Sequence, residues 1–238
     1  MAAAVYTPGR EGTLASDMIA AARRNGRVAV PVTSLPALLD ELAAGNPVIV
    51  FQNLGLGFVP RWHYAVAYGY DLAAGRIVLH SGATERLATP LDTFENTWAR
   101  SGYWGLVVLP PDRLPVTATE ASALDAAAGI ERARRPREAV TAYRTVLARW
   151  PDDLRAWMGL GNAAFAAADL AAAQAAFEHA TVVVPAAPEA WNNLAYVFAA
   201  QGRSNDAVTA AQRAVTLAPP AQAQTYLDTL AELTHASP

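Results

Sequence analysis

The sequence predicts an α+β domain followed by an all-α array of paired helices. Residues 12–109 alternate between helical and strand patterns, whereas the chain beyond about residue 120 is Ala-rich and lacks strand-like alternation. Pro110, Pro111 and Pro115 interrupt both patterns. We therefore expect three segments, which are an α+β domain over 1–114, a semi-rigid linker over 115–120 and the helical array over 121–238.

The first half of the α+β domain carries two helix signals and two strand signals. Helical spacing of apolar residues runs over Leu14–Arg24, and Val28–Val32 has the composition of a short strand. Ser34 is a typical N-cap for a helix that ends before Gly45. The apolar run Pro47–Phe51 predicts a buried strand.

The rest of this domain predicts a loop, a hairpin, a helix and a last strand. A Gly-containing loop over Asn53–Arg61 precedes an antiparallel hairpin of Trp62–Tyr70 and Arg76–His80. Thr89 opens a third helix in capping-box style, and Tyr103–Leu109 forms the last strand. The total is about five strands and three helices, with Trp98 and Trp104 expected as core aromatics.

Composition excludes several classes of function. At 53% hydrophobic residues and a net charge of −3, the 238 residues can form real cores and give no electrostatic reason to expect nucleic acid. All 18 basic residues are Arg, which excludes a Lys Schiff base and a P-loop. The absence of Cys excludes disulfides and thiolate chemistry within these residues. We predict no cofactor and no membrane span; no secretory signal is visible, so we expect the chain as given to stay where it is made.

The second half of the chain repeats itself at a constant interval. The same interval separates Pro151 from Pro185 and Pro185 from Pro219, and it also separates Trp157 from Trp191. This 34-residue period and the residue pattern are similar to tetratricopeptide repeats, in which small residues let paired helices approach and Pro ends the second helix. We expect about three repeats, the first degenerate, followed by a capping helix over 221–233.

This resemblance implies a partner, because tetratricopeptide stacks bind proteins or peptides in a groove lined by the first helix of each repeat. Asn side chains suit the backbone of an extended peptide, and Arg suits a carboxylate. The alternative is a solvated groove that only packs against the first domain. The candidate groove residues are Arg155, Met158, Asn162, Asn192, Asn193 and Tyr196.

The stretch Trp62–Asp71 resembles the histidine strand of bacterial papain-like cysteine peptidases related to the bacteriocin-processing, double-glycine leader peptidases. One bacterial subgroup couples such a domain to tetratricopeptide repeats. The resemblance extends over roughly the first 114 residues. Its other matching stretches are 6–14, 45–50, 79–82 and 94–100.

The resemblance implies a hydrolase whose general base is His63, with the residue that orients its ring falling at His80 or Ser81. In this family the nucleophile Cys and the oxyanion Gln would precede Tyr6, and the sequence has no counterpart of either. We therefore expect a truncated, papain-like domain that is inactive as given. The alternative is a non-catalytic scaffold that binds a protein or peptide through the repeat groove.

Three further expectations follow. A metal pair of His63 and His80 is conceivable across the hairpin, but no third ligand is evident, and we predict no metal site. His179 and His235 are expected to face solvent. Loss of a nucleophile helix would uncover apolar surface on strands such as Val48–Phe51, which favours self-association. The compartment is unknown, although the resembled peptidases are generally exported.

Overall fold

The computed structural model describes residues 15–56 and 58–235, so the matching stretch 6–14 lies outside the described residues. Two compact units divide the chain, one over Met1–Arg134 and the other over Arg135–Pro238. The domain bounds expected from the sequence stay a prediction. In the structure, the helix that follows the Pro-rich segment lies with the sheet in the first unit.

The first unit is built on one antiparallel sheet. Its strands, in chain order, are β1 (Val28–Val32), β2 (Val48–Asn53), β3 (Trp62–Asp71), β4 (Arg76–Ser81), β5 (Thr84–Pro90) and β6 (Gly105–Leu109). The order across the sheet is β1-β6-β2-β3-β4-β5. Strands β2, β3 and β4 are therefore neighbours at its centre, and the last strand of the domain sits between the first two.

Helices cover the two faces of this sheet unequally. The helices of the unit are α1 (Ala15–Arg24), α2 (Leu35–Ala43), α3 (Leu91–Ala99) and α4 (Glu120–Arg132). On one face, Leu38 of α2 and Trp98 of α3 pack on Val48 and Val50 to form the main core. On the other face, α1 packs against Leu106 in a smaller cluster. The main core thus lies on the α2–α3 side, and β2 alternates between the two faces.

Most of the predicted elements are confirmed, including α1, α2 with Ser34 as its N-cap, and the β3–β4 hairpin. Strand β5 was not predicted from the sequence, because almost all of its residues are exposed and it has no alternating apolar pattern. Thr89 pairs with Ile77 in the sheet, so it does not cap α3, whose N-cap residue Pro90 makes no side-chain hydrogen bond. The capping-box interpretation of Thr89 is therefore wrong.

A buried carboxylate fastens the Pro-rich segment that follows β6. Glu41 of α2 is fully buried, and its Oε1 accepts hydrogen bonds from the backbone N and the Oγ1 of Thr117, at 2.7 and 2.6 Å. Its Oε2 accepts from Asn46 Nδ2 at 2.7 Å, and Asn46 Oδ1 accepts from Arg113 Nη2 at 2.6 Å. The segment predicted as a linker is thus held to α2 over part of its length.

The predicted uncovered surface on β2 is corrected by the structure. Val48 and Val50 are buried in the main core, while Ile49 and Phe51 are half-buried. Phe51 stacks on Trp62 at 5.1 Å between ring centroids, which covers much of its outer face. A run of exposed apolar side chains lies instead in and beside the following loop, and it consists of Leu54, Leu56, Phe58, Val59 and Trp62.

The second unit is all-α. Its helices are α5 (Pro136–Arg149), α6 (Leu154–Ala166), α7 (Leu170–Val183), α8 (Pro188–Ala200), α9 (Ser204–Leu217) and α10 (Ala223–His235), with a 3-10 turn at Pro220–Gln222. Each helix from α5 to α10 packs on the next one along the chain. None of the helices in the described part of the chain is long and apolar enough to cross a bilayer.

The backbone confirms the repeat period independently of residue type. Arg134, Ala168 and Gly202 all adopt the left-handed conformation, with φ of 57°, 61° and 75°, and each stands one period after the one before. Each lies two residues beyond the end of a helix, in a tight turn into the next helix. Gly adopts this conformation without strain, whereas Arg and Ala adopt it at some cost. The same turn therefore recurs even where the sequence at the turn has changed.

Candidate functional site

The second unit carries a small cavity between its helices. Its volume is about 190 Å³, and its lining residues are Asn162 and Phe165 of α6, Phe177 of α7, and Asn193 and Tyr196 of α8. We call this cavity and its rim the α6–α8 groove. It lies on the side where the sequence predicted the peptide groove.

The repeat period places these residues side by side. Asn162 and Tyr196 occupy the same position of successive repeats. Phe165 follows Asn162 at the i, i+3 spacing, so both lie on one face of α6. Gly161 is buried, and a Cβ at this position would overlap the ring of Phe177. The missing side chain of Gly161 therefore lets Phe177 reach the cavity.

Polar contacts cross the groove from helix to helix. Asn193 Nδ2 donates to Asn162 Oδ1 at 3.1 Å. Tyr196 Oη lies 3.3 Å from both Thr229 Oγ1 and Glu232 Oε2 of α10. Within the described residues, neither Asn162 Nδ2 nor Asn193 Oδ1 has a hydrogen-bond partner. The pair thus presents one donor and one acceptor, which is the complement of an extended backbone.

The other three predicted groove residues lie outside this cavity. Arg155 binds Asp153 through two hydrogen bonds, Nε to Oδ1 at 3.2 Å and Nη2 to Oδ2 at 2.9 Å. Asp153 is also the N-cap of α6, so its carboxylate holds the guanidinium at the helix start. Met158 is half-buried among apolar side chains. The buried Asn192 Oδ1 has no partner among the described residues.

Neither Phe165 nor Phe177 was predicted from the sequence as a groove residue. Phe165 is exposed at 41%, and its spacing from Asn162 is the signal that identifies it. The contribution of Phe177 depends on the absent side chain of Gly161, which is a feature of packing between two helices. A one-dimensional pattern does not show it.

The histidine strand forms a second polar site in the first unit. His63 is half-buried at the start of β3, and its Nε2 lies 2.7 Å from Ser81 Oγ at the end of β4. Gln52 of β2 faces His63 across the ladder, and its Nε2 donates to Thr97 Oγ1 of α3 at 2.7 Å. Gln52, His63 and Ser81 therefore form one polar row across three neighbouring strands, on the core face of the sheet.

His80 does not join this row. It pairs with Val66, is exposed, and follows the buried Leu79 by one position, so its side chain leaves the opposite face of the sheet. Of the two predicted orienting positions, only Ser81 reaches the His63 ring. In the described residues, no three His, Cys, Asp or Glu side chains come together as a metal site.

The loop beside His63 is held in a defined shape. Asn53 Oδ1 accepts hydrogen bonds from Gly55 N at 3.0 Å and from Arg61 N at 2.9 Å. Arg100 Nη1 donates to Gly55 O at 2.8 Å. Gly55 has no room for a Cβ against the backbone of Val59. The backbone on either side of the exposed apolar side chains is thus held by hydrogen bonds at Gly55 and Arg61.

The remaining residues named from the sequence are two tryptophans of the first unit and two histidines of the helical unit. Trp98 is fully buried, with Nε1 donating to Trp104 O at 2.7 Å, and Trp104 itself is half-buried. His235 is exposed. His179 is also exposed, and its ring stacks on Trp157 at 4.4 Å between centroids.

Helix pairs that recur with a constant period and open a groove along one side define a helical-repeat protein. A family model described as Tetratricopeptide repeat matches residues 131–173 and 160–222. This part of the chain is accordingly composed of tetratricopeptide repeats, as the sequence period predicted. The matched residues do not include the six-stranded sheet of the first unit.

The chain is also similar to solved structures over about half of its length. The type III secretion translocator chaperone SycD of Yersinia enterocolitica is 15% identical, with a TM-score of 0.46 over 48% of this chain and 83% of that one. The TPR2B-domain:pHsp70 complex of yeast Sti1 is 18% identical, with a TM-score of 0.47 over 49% of this chain and 96% of that one. No curated protein matches the sequence.

Proposed function

We propose that this protein is a scaffold that binds a peptide or protein segment in the α6–α8 groove. The single observation that carries the proposal is the Asn162–Asn193 pair, which offers an unpartnered amide donor and carbonyl acceptor beside the aromatic side chains of Phe165 and Tyr196. An extended backbone needs one donor and one acceptor, and aromatic walls accept its apolar side chains. This is the alternative function derived from the sequence.

The ligand chemistry follows from the charges at the groove. Arg155 is engaged by Asp153, so its guanidinium already has a carboxylate partner within the chain. Glu232 lies at the groove through Tyr196 Oη. We therefore expect a neutral or basic apolar segment to bind better than an acidic one, because like charges repel across a short distance. A C-terminal carboxylate held by Arg155 is not the arrangement that this geometry favours.

The test is selection of peptides from a randomised display library on the purified 238-residue protein, followed by fluorescence polarisation with one selected peptide. The double variant Asn162→Ala/Asn193→Ala is expected to bind at least about tenfold more weakly, because two hydrogen bonds to the peptide backbone are lost. Asn205→Ala, an exposed Asn on α9, is the matched control. Equal affinity of wild type and double variant would contradict a role for the groove.

A second proposal concerns the first unit, where we infer a relation to papain-like cysteine peptidases with His63 in the position of the general base. The observation that supports it is the 2.7 Å contact of His63 Nε2 with Ser81 Oγ, at the place where the resemblance puts the orienting group. A Ser hydroxyl at this distance can accept a hydrogen bond from a ring N–H but supplies no negative charge, so it stabilises an imidazolium less than a carboxylate does. The 238 residues contain no thiol to act as nucleophile.

Hydrolysis of a fluorogenic peptide with a Gly-Gly site tests whether the first unit has peptidase activity. We expect the 238-residue protein and its His63→Ala variant to show the same background rate, because a Cys-His peptidase without its sulfur retains little activity. Ser34→Ala, which lies far along the sequence from the histidine strand, is purified and assayed in parallel as the control for contaminating peptidase activity. Hydrolysis by wild type that is lost on His63→Ala would show a catalyst and would overturn the expectation that the first unit is inactive.

A further inference from the structure

A second cavity lies in the helical unit, on a different side of α6 from the groove. It holds about 430 Å³ between α5 and α7, with α6 at its base. Leu160 lines it, whereas Asn162 lines the groove, and two positions on a helix differ by about 200° of rotation. We call this second cavity the α5–α7 cup.

The cup has an apolar floor and a fixed aromatic wall. Leu147, Leu160 and Ala176 are buried at its floor. The indole of Trp157 forms the wall, where it stacks on the His179 ring at an interplanar angle of 11°. Trp157 Nε1 donates to Pro151 O at 2.7 Å, so the indole is held in place before any ligand arrives.

The rim of the cup is cationic. Arg144 is exposed there, and no ion pair or hydrogen bond of its side chain occurs within the residues that the structure describes. His179 adds an imidazole ring to the rim. Neither Asp nor Glu is among the described lining residues. An unpaired guanidinium above an apolar floor is the complement of an apolar group that carries a carboxylate.

The next repeat keeps the same helices, the wall and most of the floor, since Trp157, Leu160 and Ala176 are matched by Trp191, Leu194 and Ala210. The rim of the cup differs. Arg144 is matched by Glu178, Ala172 by Asp206 and Ala175 by Thr209. Asp206 binds Arg203 at 2.6 Å, so charged residues fit the framework at this place. The rim, with an Arg and no acidic residue among its described positions, is therefore particular to one interval of the array.

We propose that the α5–α7 cup binds the C-terminal end of a polypeptide, with the last side chain on the floor and the terminal carboxylate on Arg144. The floor and the guanidinium belong to the same cavity, so a single residue can supply both groups. A C-terminal Leu or Phe carries an apolar side chain and a carboxylate on the same Cα. An Arg fork pairs with a carboxylate through two parallel hydrogen bonds.

The test is NMR titration of the ¹⁵N-labelled 238-residue protein with two synthetic peptides, Ac-Gly-Ser-Ala-Leu with a free carboxylate and the same peptide amidated. The indole N–H signal of Trp157, assigned by its absence in Trp157→Phe, reports on the cup. The free acid is expected to shift this signal and to bind at least about tenfold more tightly than the amide, because a hydrogen bond between charged groups is stronger than a neutral one.

Three variants test whether the peptide binds within the cup. Arg144→Gln is expected to weaken binding of the free acid to the level of the amide. Arg213→Gln, an exposed Arg on α9, is the matched control and should bind as wild type does. Ala175→Glu adds a like charge at an exposed position of the rim and should abolish binding of the acid without loss of helix content. Equal binding of acid and amide, or equal loss in both Arg variants, would overturn the proposal.

Two further outcomes are decisive. An amidated peptide with an internal Asp, Ac-Ala-Leu-Asp-Ala, that bound as tightly as the free acid would overturn the choice of a chain terminus. The groove variant Asn162→Ala/Asn193→Ala should keep wild-type affinity for the free-acid peptide. Loss of binding in that variant would place the peptide in the α6–α8 groove, which would overturn the cup proposal and leave the groove proposal standing.

Discussion

The two units of this protein stabilise themselves with different kinds of residue. In the sheet unit, the decisive contacts come from individual positions that have no repeated counterpart, such as the buried Glu41 carboxylate and the fully buried Trp98. In the helical unit, small residues recur with the repeat period and allow large neighbours to approach, as Gly161 does for Phe177. The sheet unit therefore depends on individual polar and aromatic anchors, and the array on repeated differences in side-chain size.

This difference teaches where each unit tolerates change. A repeat contacts mainly its neighbours along the chain, so its stability is close to a sum of local contributions. Strands of the sheet meet out of sequence order, with β6 between β1 and β2. Loss of one anchor there affects elements that are far apart in the sequence. We expect single substitutions to be more damaging in the sheet unit.

The largest expected effect is a loss of folding stability, and it is measured by replacing one tryptophan in each unit. Trp98→Ala should lower the free energy of unfolding by about 4 kcal/mol, since it removes a fully buried indole from the main core. Trp157→Ala, at a half-buried position of the array, should cost about half as much. Urea denaturation followed by circular dichroism measures both. Equal losses would remove the proposed contrast between the units.

The next effect concerns the buried carboxylate. Glu41→Ala should cost about 3 kcal/mol, because Asn46 Nδ2 and both donors of Thr117 lose their acceptor in a buried site. Asp40→Ala, at the exposed neighbouring carboxylate, is the control and should change stability by less than about 0.5 kcal/mol. Thermal unfolding compares the two variants, and a similar small change in both would show that Glu41 is not an anchor.

A smaller effect tests the array. Gly161→Ala should cost about 1–2 kcal/mol, because the overlap of the new Cβ with Phe177 exceeds the roughly 1 kcal/mol by which a helix prefers Ala to Gly. Phe177→Leu should cost less in the Gly161→Ala background than in wild type, since the smaller side chain relieves the overlap. A double-mutant cycle in urea measures this coupling. A stabilising Gly161→Ala would refute the size argument.

The smallest effect concerns pH. Burial acts to raise the pKa of Asp125, but Arg23 and Arg132 outweigh it and hold that pKa below its usual range. A carboxyl with a lowered folded pKa stabilises the fold above its unfolded pKa, about 3.9, and this contribution disappears as pH falls through the folded pKa. Because the carboxylate is exposed, the gain stays below about 1 kcal/mol.

Asp125→Asn should therefore lower stability slightly at pH 7 and leave it unchanged near pH 2 relative to wild type. Asp228→Asn, on α10, is the control for loss of a negative charge in the array. A loss for Asp125→Asn that is the same at pH 7 and pH 2 would show that the ion pairs are not its source.

The extent of prediction differs between the units for a physical reason. The repeat period and the helices came from the sequence, because a helix pair is defined by contacts within a single repeat, whereas the peptide groove stays a prediction. Strand β5 did not, because an exposed edge strand derives its hydrogen bonds from β4 and needs no apolar alternation. The linker was also incompletely predicted, since its partner Glu41 lies far back along the chain.

The candidate sites divide in the same way. Asn162, Asn193 and Tyr196 were found from their repeat positions, and the structure brings them together. Arg155 was assigned to a ligand carboxylate, but the nearby Asp153 binds it, and spacing alone does not reveal that competition. His63 and Ser81 are in contact, whereas His80 points away, because adjacent strand residues alternate between faces.

The sequence alone determined that this protein joins an α+β unit to an array of tetratricopeptide helices, because apolar periodicity and a constant repeat length are properties of local stretches of chain. Only the tertiary structure decided which polar groups meet, including Asn162 with Asn193, Glu41 with Thr117 and His63 with Ser81. These pairs form between separate elements, and their distances depend on strand order and helix packing. Burying a polar group without a hydrogen-bond partner is unfavourable, so these pairings stabilise the protein. This cost arises only when the fold removes the groups from water.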